Sequence, residues 1–184
     1  MTWEERFRTA IRAMANSCSA VNVQWMLIGG MAVIARGAPR TTEDVDATVV
    51  APGLDLDQFL TACRSHQIVP RRPDVKEMAL PLDVSLAWLG FEQEAIGRAQ
   101  PVDFGHGLHV PVARVDDLIV YKAVAWRDVD RKDIERLLLR HSATIDLVKV
   151  RAQVQAFAEW IEAPERLEQF DGLVARVRGS SASS

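Results

Sequence analysis

The stretch Asp44-Val45-Asp46-Ala47-Thr48-Val49 constrains this chain more than any other feature. Successive residues of a strand point to opposite faces, so Asp44, Asp46 and Thr48 leave one face while Val45, Ala47 and Val49 leave the other. The apolar face has to be buried against something. The opposite face then presents two carboxylates roughly 6–7 Å apart at the backbone. Pro52-Gly53 closes the strand.

A second alternating stretch, Leu82-Asp83-Val84-Ser85-Leu86, sets Asp83 and Ser85 opposite the leucines. If the two strands are neighbours, three carboxylates converge. Three such anions repel one another and raise their own pKa values unless a positive charge sits among them. Magnesium is the expected partner, a hard cation that takes carboxylate oxygens and keeps positions open for phosphate. Two ions are expected, one to activate an attacking hydroxyl and one to steady a leaving group. The calcium-binding EF-hand loop fits poorly, because the sixth position counted from Asp44 is Val49 and not glycine.

Upstream, Val23 to Ile28 is short, nearly all apolar and stopped by Gly29-Gly30, which reads as an interior strand feeding a turn. Met31 to Arg36 then reads as a short helix ended by Gly37 and Pro39. Bare glycine backbone at the start of a helix can approach a phosphate closely, and the helix N-terminus favours negative charge. Arg40 and Thr42 could add a guanidinium and a hydroxyl for the same phosphates.

Trp3, Phe7, Ile11 and Met14 are spaced as one helical stripe, as are Leu56, Phe59, Leu60 and Cys63. From about Arg114 helices dominate. Their stripes are Leu118, Lys122 and Ala125; Ile134, Leu137 and Leu138; Val154, Phe157, Ala158 and Ile161; and Leu167, Phe170, Val174 and Val177. The expected fold class is therefore α+β: a small mixed sheet with flanking helices, and a helical C-terminal part. Residues 1–113 form the α/β core and residues 114–178 pack on it as one unit. Gly179 to Ser184, small and polar, is expected to be a disordered tail.

Composition narrows the function classes. A formal net charge of -3 argues against a protein held to nucleic acid by bulk charge, though not against a local grip. Two cysteines, Cys18 and Cys63, make neither a disulfide framework nor a zinc cluster and read as reduced, buried thiols. No signal peptide and no apolar run of the roughly 18 residues a span requires is visible, so a cytoplasmic protein without a membrane partner is expected.

Together these motifs resemble a known family. Gly29-Gly30 followed by Arg40-Thr41-Thr42-Glu43-Asp44-Val45-Asp46 looks like the Gly-Gly…Arg-x-Thr-x-Asp-x-Asp signature of the polymerase-β-like nucleotidyltransferase superfamily. Within it, the likeness is to small bacterial nucleotidyltransferases of the AbiEii toxin type. Leu82-Asp83-Val84 matches the strand holding that family's third carboxylate. Val110 to Ala113 and Asp117 to Lys122 resemble a later block whose lysine reaches the nucleotide, and Arg127, Asp130 and Asp133 fit the Arg-x-x-Asp-x-x-Asp helix after it. The likeness runs from about Val23 to Leu139 with four blocks in order. It departs at Arg114, where the family usually has a small N-capping residue.

The resemblance implies transfer of a nucleoside monophosphate from ATP or another nucleoside triphosphate to an acceptor hydroxyl, with release of pyrophosphate. Asp44, Asp46 and Asp83 would hold magnesium and act in catalysis; Gly29, Gly30, Arg40, Thr42 and Lys122 would bind the triphosphate. The implied acceptor is an RNA 3′ end, first of all tRNA, in a toxin–antitoxin setting with a cognate antitoxin. A protein side chain or a small molecule such as an aminoglycoside comes next, and a non-catalytic binding module is the rival from another class.

Other readings stand beside these. A competing reading of Lys122, on an apolar helix face, is a side chain that only snorkels to water. Arg127, Asp130 and Asp133 fall at i, i+3 and i+6, the spacing of a structural ion-pair ladder. The four histidines show no ligand spacing. Arg64, Arg71, Arg72 and Lys76 could grip an RNA backbone or form a solvated loop. The five tryptophans read as core.

Overall fold

Five strands, β1 (Trp25–Ile28), β2 (Val45–Val50), β3 (Leu82–Ala87), β4 (Gln100–Asp103) and β5 (His109–Val112), form one mixed sheet in the order β3-β2-β1-β5-β4. This is a computed structural model, and it describes residues 2–69 and 80–181. Eight helices accompany the sheet among the described residues: α1 (Trp3–Ala20), α2 (Gly29–Ala35), α3 (Leu56–Ser65), α4 (Gly90–Gly97), α5 (Val115–Ala125), α6 (Asp128–Arg140), α7 (Leu147–Trp160) and α8 (Glu165–Ser181). The fold is α+β, with a small sheet and C-terminal helices. No described helix is long and apolar enough to cross a membrane.

The chain divides into two compact units. The first comprises residues 1–32 and 41–113, the second residues 33–40 and 114–184. Segment 33–40, grouped with the α/β core on the sequence, thus belongs with the later helices.

In the first unit β2 runs antiparallel to β1 and parallel to β3. A parallel neighbour needs a crossover connection, and α3 lies within the one between β2 and β3. Val45, Ala47 and Val49 are buried as their alternation requires, and Phe7, Ile11 and Met14 of α1 are buried with Phe59 and Cys63 of α3. Asp55 caps α3 through the Gln58 N–H at 3.0 Å, and Thr2 and Glu5 form a capping box at the start of α1. Both cysteines are free and buried, and desolvation, with Cys63 nearby, pushes the Cys18 thiol up to about 12. Such a thiol is inert at neutral pH.

The second unit is a helical cluster in which Leu118, Ile119, Ile134, Leu137, Val154 and Phe170 are buried. Arg114 makes no side-chain cap at the start of α5, whereas Asp146 caps α7 through the Lys149 N–H.

Several expectations are corrected. The β4–β5 hairpin and α4 were not foreseen. Asp44 precedes β2 instead of starting it. The polar C-terminal residues do not end the last helix at 178, since α8 continues through Gly179 to Ser181; residues 182–184 lie outside the described ones. Of the five tryptophans only Trp25 is buried, and Trp88 and Trp160 are 65% and 67% exposed. The Pro70–Asp74 break and Arg71, Arg72 and Lys76 fall outside the described residues.

Candidate active site

Strand register builds the site. Ile28 at the end of β1 pairs with Asp46 on β2, and Asp46 pairs with Asp83 on β3. The Gly29 turn, Asp46 and Asp83 therefore lie side by side across three adjacent strands of one sheet. Asp44, just before β2, completes the group. One carboxylate oxygen from each of Asp44, Asp46 and Asp83 lies within 4.8 Å of the others, a spacing that one divalent cation can bridge.

The acids differ in setting. Asp44 and Asp46 are half-buried, while Asp83 is exposed on β3, the outer strand among the described residues. The Thr42 hydroxyl, itself buried, donates to Asp44 Oδ1 at 2.7 Å and fixes that carboxylate. The Gly30 N–H approaches Asp46 Oδ2 at 3.4 Å. Among the described residues no lysine or arginine forms an ion pair with Asp44 or Asp83. Three carboxylate oxygens this close together fit a cation site.

Gly29 has two independent reasons to be glycine. Its φ is +61°, the left-handed region that side chains disfavour. A Cβ placed there would also lie 1.7 Å from Asp46 Oδ2. The glycine turn is thus the space that the second acid occupies. From sequence alone the pair Gly29-Gly30 suggested only close phosphate approach; the contact with Asp46 emerges from the Ile28–Asp46 register.

The remaining predicted residues, Arg40 and Lys122, belong to the second unit, and there they meet. Lys122 is buried, with its Nζ 2.9 Å from Asp130 Oδ1 and 3.1 Å from Asp133 Oδ2. Arg40 donates to the same Asp133 Oδ2 at 2.8 Å, and Arg127 donates from Nε to Asp130 Oδ2 at 2.7 Å. Asp130 and Asp133 are fully buried. Burial alone would push the Asp130 carboxyl up, but hydrogen bonds from Arg127 and Lys122, and the Lys122 charge, outweigh it and hold the carboxyl below its ordinary range. The spacing of Arg127, Asp130 and Asp133 was visible in the sequence; that two of them clamp Lys122 was not.

A family model described as nucleotidyltransferase of unknown function (DUF6036) matches residues 5–176. The chain belongs to this nucleotidyltransferase family. Solved structures agree in fold. The nucleotidyltransferase chain is similar to an antigenic nucleotidyltransferase-like protein from Paracoccidioides brasiliensis, at 16% identity and TM-score 0.53 over 89% of this chain and 93% of that one. It is also similar to ANT(2″)-Ia in complex with adenylyl-2″-tobramycin, at 22% identity and TM-score 0.53 over 83% of this chain and 97% of that one. The solution structure of the antibiotic-resistance factor ANT(2″)-Ia gives 21% identity and TM-score 0.54 over 89% and 97%. At these identities the likeness is one of fold. A search of curated proteins finds no significant match.

Proposed function

We propose that the protein transfers a nucleoside monophosphate from a nucleoside triphosphate to an acceptor hydroxyl. The observation that supports this most is the convergence of Asp44, Asp46 and Asp83 beside the Gly29 turn. In the reaction the acceptor oxygen bonds to the α-phosphorus, the bond from that phosphorus to the bridging oxygen breaks, and pyrophosphate leaves. Asp44, Asp46 and Asp83 would hold magnesium, which when bound supplies neutralisation of phosphate charge and activation of the attacking hydroxyl. Asp83, exposed at the sheet edge, takes up the acceptor proton. Thr42 keeps Asp44 aimed through its hydroxyl, a role that its 2.7 Å bond supports more directly than phosphate contact. Gly29 and Gly30 let the triphosphate approach the backbone. The motif resemblance also assigns Arg40 and Lys122 to the triphosphate, and within the second unit Asp133 holds both of them.

The acceptor favoured by the motif resemblance is an RNA 3′ end, tRNA first, as in the AbiEii toxin type, with an antitoxin as partner. A second reading takes a small polyhydroxylated acceptor, supported by the fold likeness to ANT(2″)-Ia bound to an adenylylated aminoglycoside. Labelled ATP and the other labelled triphosphates, added with magnesium to total RNA, to cell lysate and to an aminoglycoside panel, separate these. Label in short RNA supports the first reading and label in an aminoglycoside the second, while a labelled protein band points to side-chain nucleotidylation. Triphosphate binding by calorimetry without label in any fraction would leave a binding module and overturn the transferase reading.

A further inference from the structure

The first unit carries cations that this reaction does not use. Arg8 and Arg12 lie one turn apart on one face of α1. With Thr9 and Asn16 of the same helix, and with His66 and Gln67 just after α3, they line a groove of about 340 Å³. It shares no residue with the carboxylate site.

Main-chain carbonyls hold both guanidinium groups. Arg8 Nε donates to the Phe104 carbonyl at 3.1 Å, and Arg12 Nη2 donates to the His106 carbonyl at 3.3 Å. A neutral carbonyl orients a guanidinium without cancelling its charge, and each arginine keeps further N–H donors to offer. No described carboxylate forms an ion pair with either arginine. Glu5 also lines the groove, and its carboxylate accepts the Thr2 N–H at 2.6 Å.

The turn that supplies these carbonyls is conformationally demanding. Gly105, His106 and Gly107 all have left-handed φ values, 82°, 52° and 71°. His106 holds that conformation without being glycine, as does Gln67 on the groove wall at 66°. Strain of this kind collects at ligand clamps. Asp103 Oδ1 accepts the Gly105 N–H at 2.8 Å, and the Phe104 N–H donates to the Leu108 carbonyl at 2.8 Å, which closes the turn.

Two oriented guanidinium groups with spare planar donors match the oxygens of a phosphate ester. The hydroxyl and amides of Thr9, Asn16 and Gln67 suit a sugar. The volume lies at the small end of ligand sites, which suits one nucleotide unit. We propose that this groove binds the phosphate of a nucleotide unit, whether free or within an RNA strand.

The test is an amide-shift titration of the full chain by NMR, with chelator present so that the carboxylate site holds no cation. The probes are inorganic phosphate, a nucleoside 5′-monophosphate and a single-stranded oligoribonucleotide. Saturable shifts at residues 65–67 and 104–107 that weaken with salt are expected. Arg12→Gln should weaken binding by about tenfold or more, Arg12→Lys by less, and Asp46→Asn not at all. Because Asp46→Asn removes the transfer chemistry, the groove stands or falls apart from that reading. Saturation by the monophosphate would assign a small nucleotide; tight binding of the oligoribonucleotide alone would assign an RNA backbone. Absence of shifts in the wild-type protein, shifts spread away from the groove, or unchanged binding in a folded Arg12→Gln variant would each overturn the proposal. If Arg12→Gln does not fold, the wild-type titration and Arg12→Lys decide it.

Discussion

Each unit of the molecule concentrates charge, and the two do so in opposite ways. In the first, three carboxylates lie within 4.8 Å of one another at a sheet edge, and no described lysine or arginine pairs with Asp44 or Asp83. In the second, two fully buried carboxylates, Asp130 and Asp133, enclose Lys122 and reach Arg40 and Arg127. The first cluster lies open to solution, with Asp44 and Asp46 half-buried and Asp83 exposed. The second has balanced its charge internally, as burial demands. Mutation should therefore remove activity at one cluster and stability at the other.

The sharpest break of this comparison is Asp46→Asn. A cation site supplies several kcal/mol of transition-state stabilisation, and each ~1.4 kcal/mol is about tenfold in rate. Turnover should fall by about a thousandfold or more in a labelled-triphosphate assay. Tm without divalent ions should change little, because the substitution keeps the side chain's shape. A clear fall in Tm would make Asp46 structural and erase the contrast.

Lys122→Met tests the other side. Removing one partner from a buried pair costs about 3–5 kcal/mol, on the order of 10 °C in Tm for a chain of this size. Triphosphate affinity, measured by calorimetry well below that Tm, separates the two roles of the lysine. A weakened affinity supports the nucleotide contact proposed above, and an unchanged one leaves Lys122 as the counter-charge of Asp130 and Asp133 alone.

What could be read from the sequence follows the same division. The β2 alternation was legible because one face is wholly buried, so the acids on the other face stood out. Asp83 was legible from the same alternation, although on β3, the outer strand among the described residues, the alternate positions Leu82, Val84 and Leu86 are half-buried or exposed. The β4–β5 hairpin escaped notice because Gln100-Pro101-Val102-Asp103 is mostly exposed and carries a proline, which is how edge strands read. The tryptophans read as core from the apolar faces they fall on, yet Trp88 just after β3 and Trp160 at the end of α7 are both exposed. In the second unit the spacing of Arg127, Asp130 and Asp133 showed that they share a helix face. It could not show that the face turns toward a lysine on the preceding helix, because that depends on how α5 and α6 pack.

Gly29→Ala probes the join between glycine turn and acid. The left-handed backbone alone costs a non-glycine residue about 1–2 kcal/mol, a few degrees in Tm. The added carbon must also displace the Asp46 carboxylate it would strike. Activity should therefore fall further than that loss of stability explains. Equal losses in Gly29→Ala and in a control such as Gly53→Ala, which has left-handed φ but open space around it, would deny the steric link.

The smallest effect lies within the second unit, where two aspartates answer burial differently. Asp130 is held below the ordinary carboxylate range, whereas Asp116 is pushed above it: desolvation dominates, and Arg114, 4.0 Å away, does not offset it with Asp117 and Asp146 nearby. A raised folded pKa means that the native state holds its proton to higher pH than the unfolded chain does. Asp116 therefore weakens the fold as pH rises through that interval and goes on doing so at neutrality. For Asp130 the sign reverses, and its stabilisation is complete above the unfolded value of 3.8 and lost as pH falls through its lower folded value. Asp116→Asn should raise Tm slightly at pH 7 and lose that gain in melts below pH 3.8. Asp130→Asn should lower Tm at pH 7 by a margin that shrinks in strong acid. If both variants lowered Tm at pH 7, pairing would outweigh burial at Asp116 as well, and balanced internal charge would describe the whole unit instead of the Lys122 cluster alone.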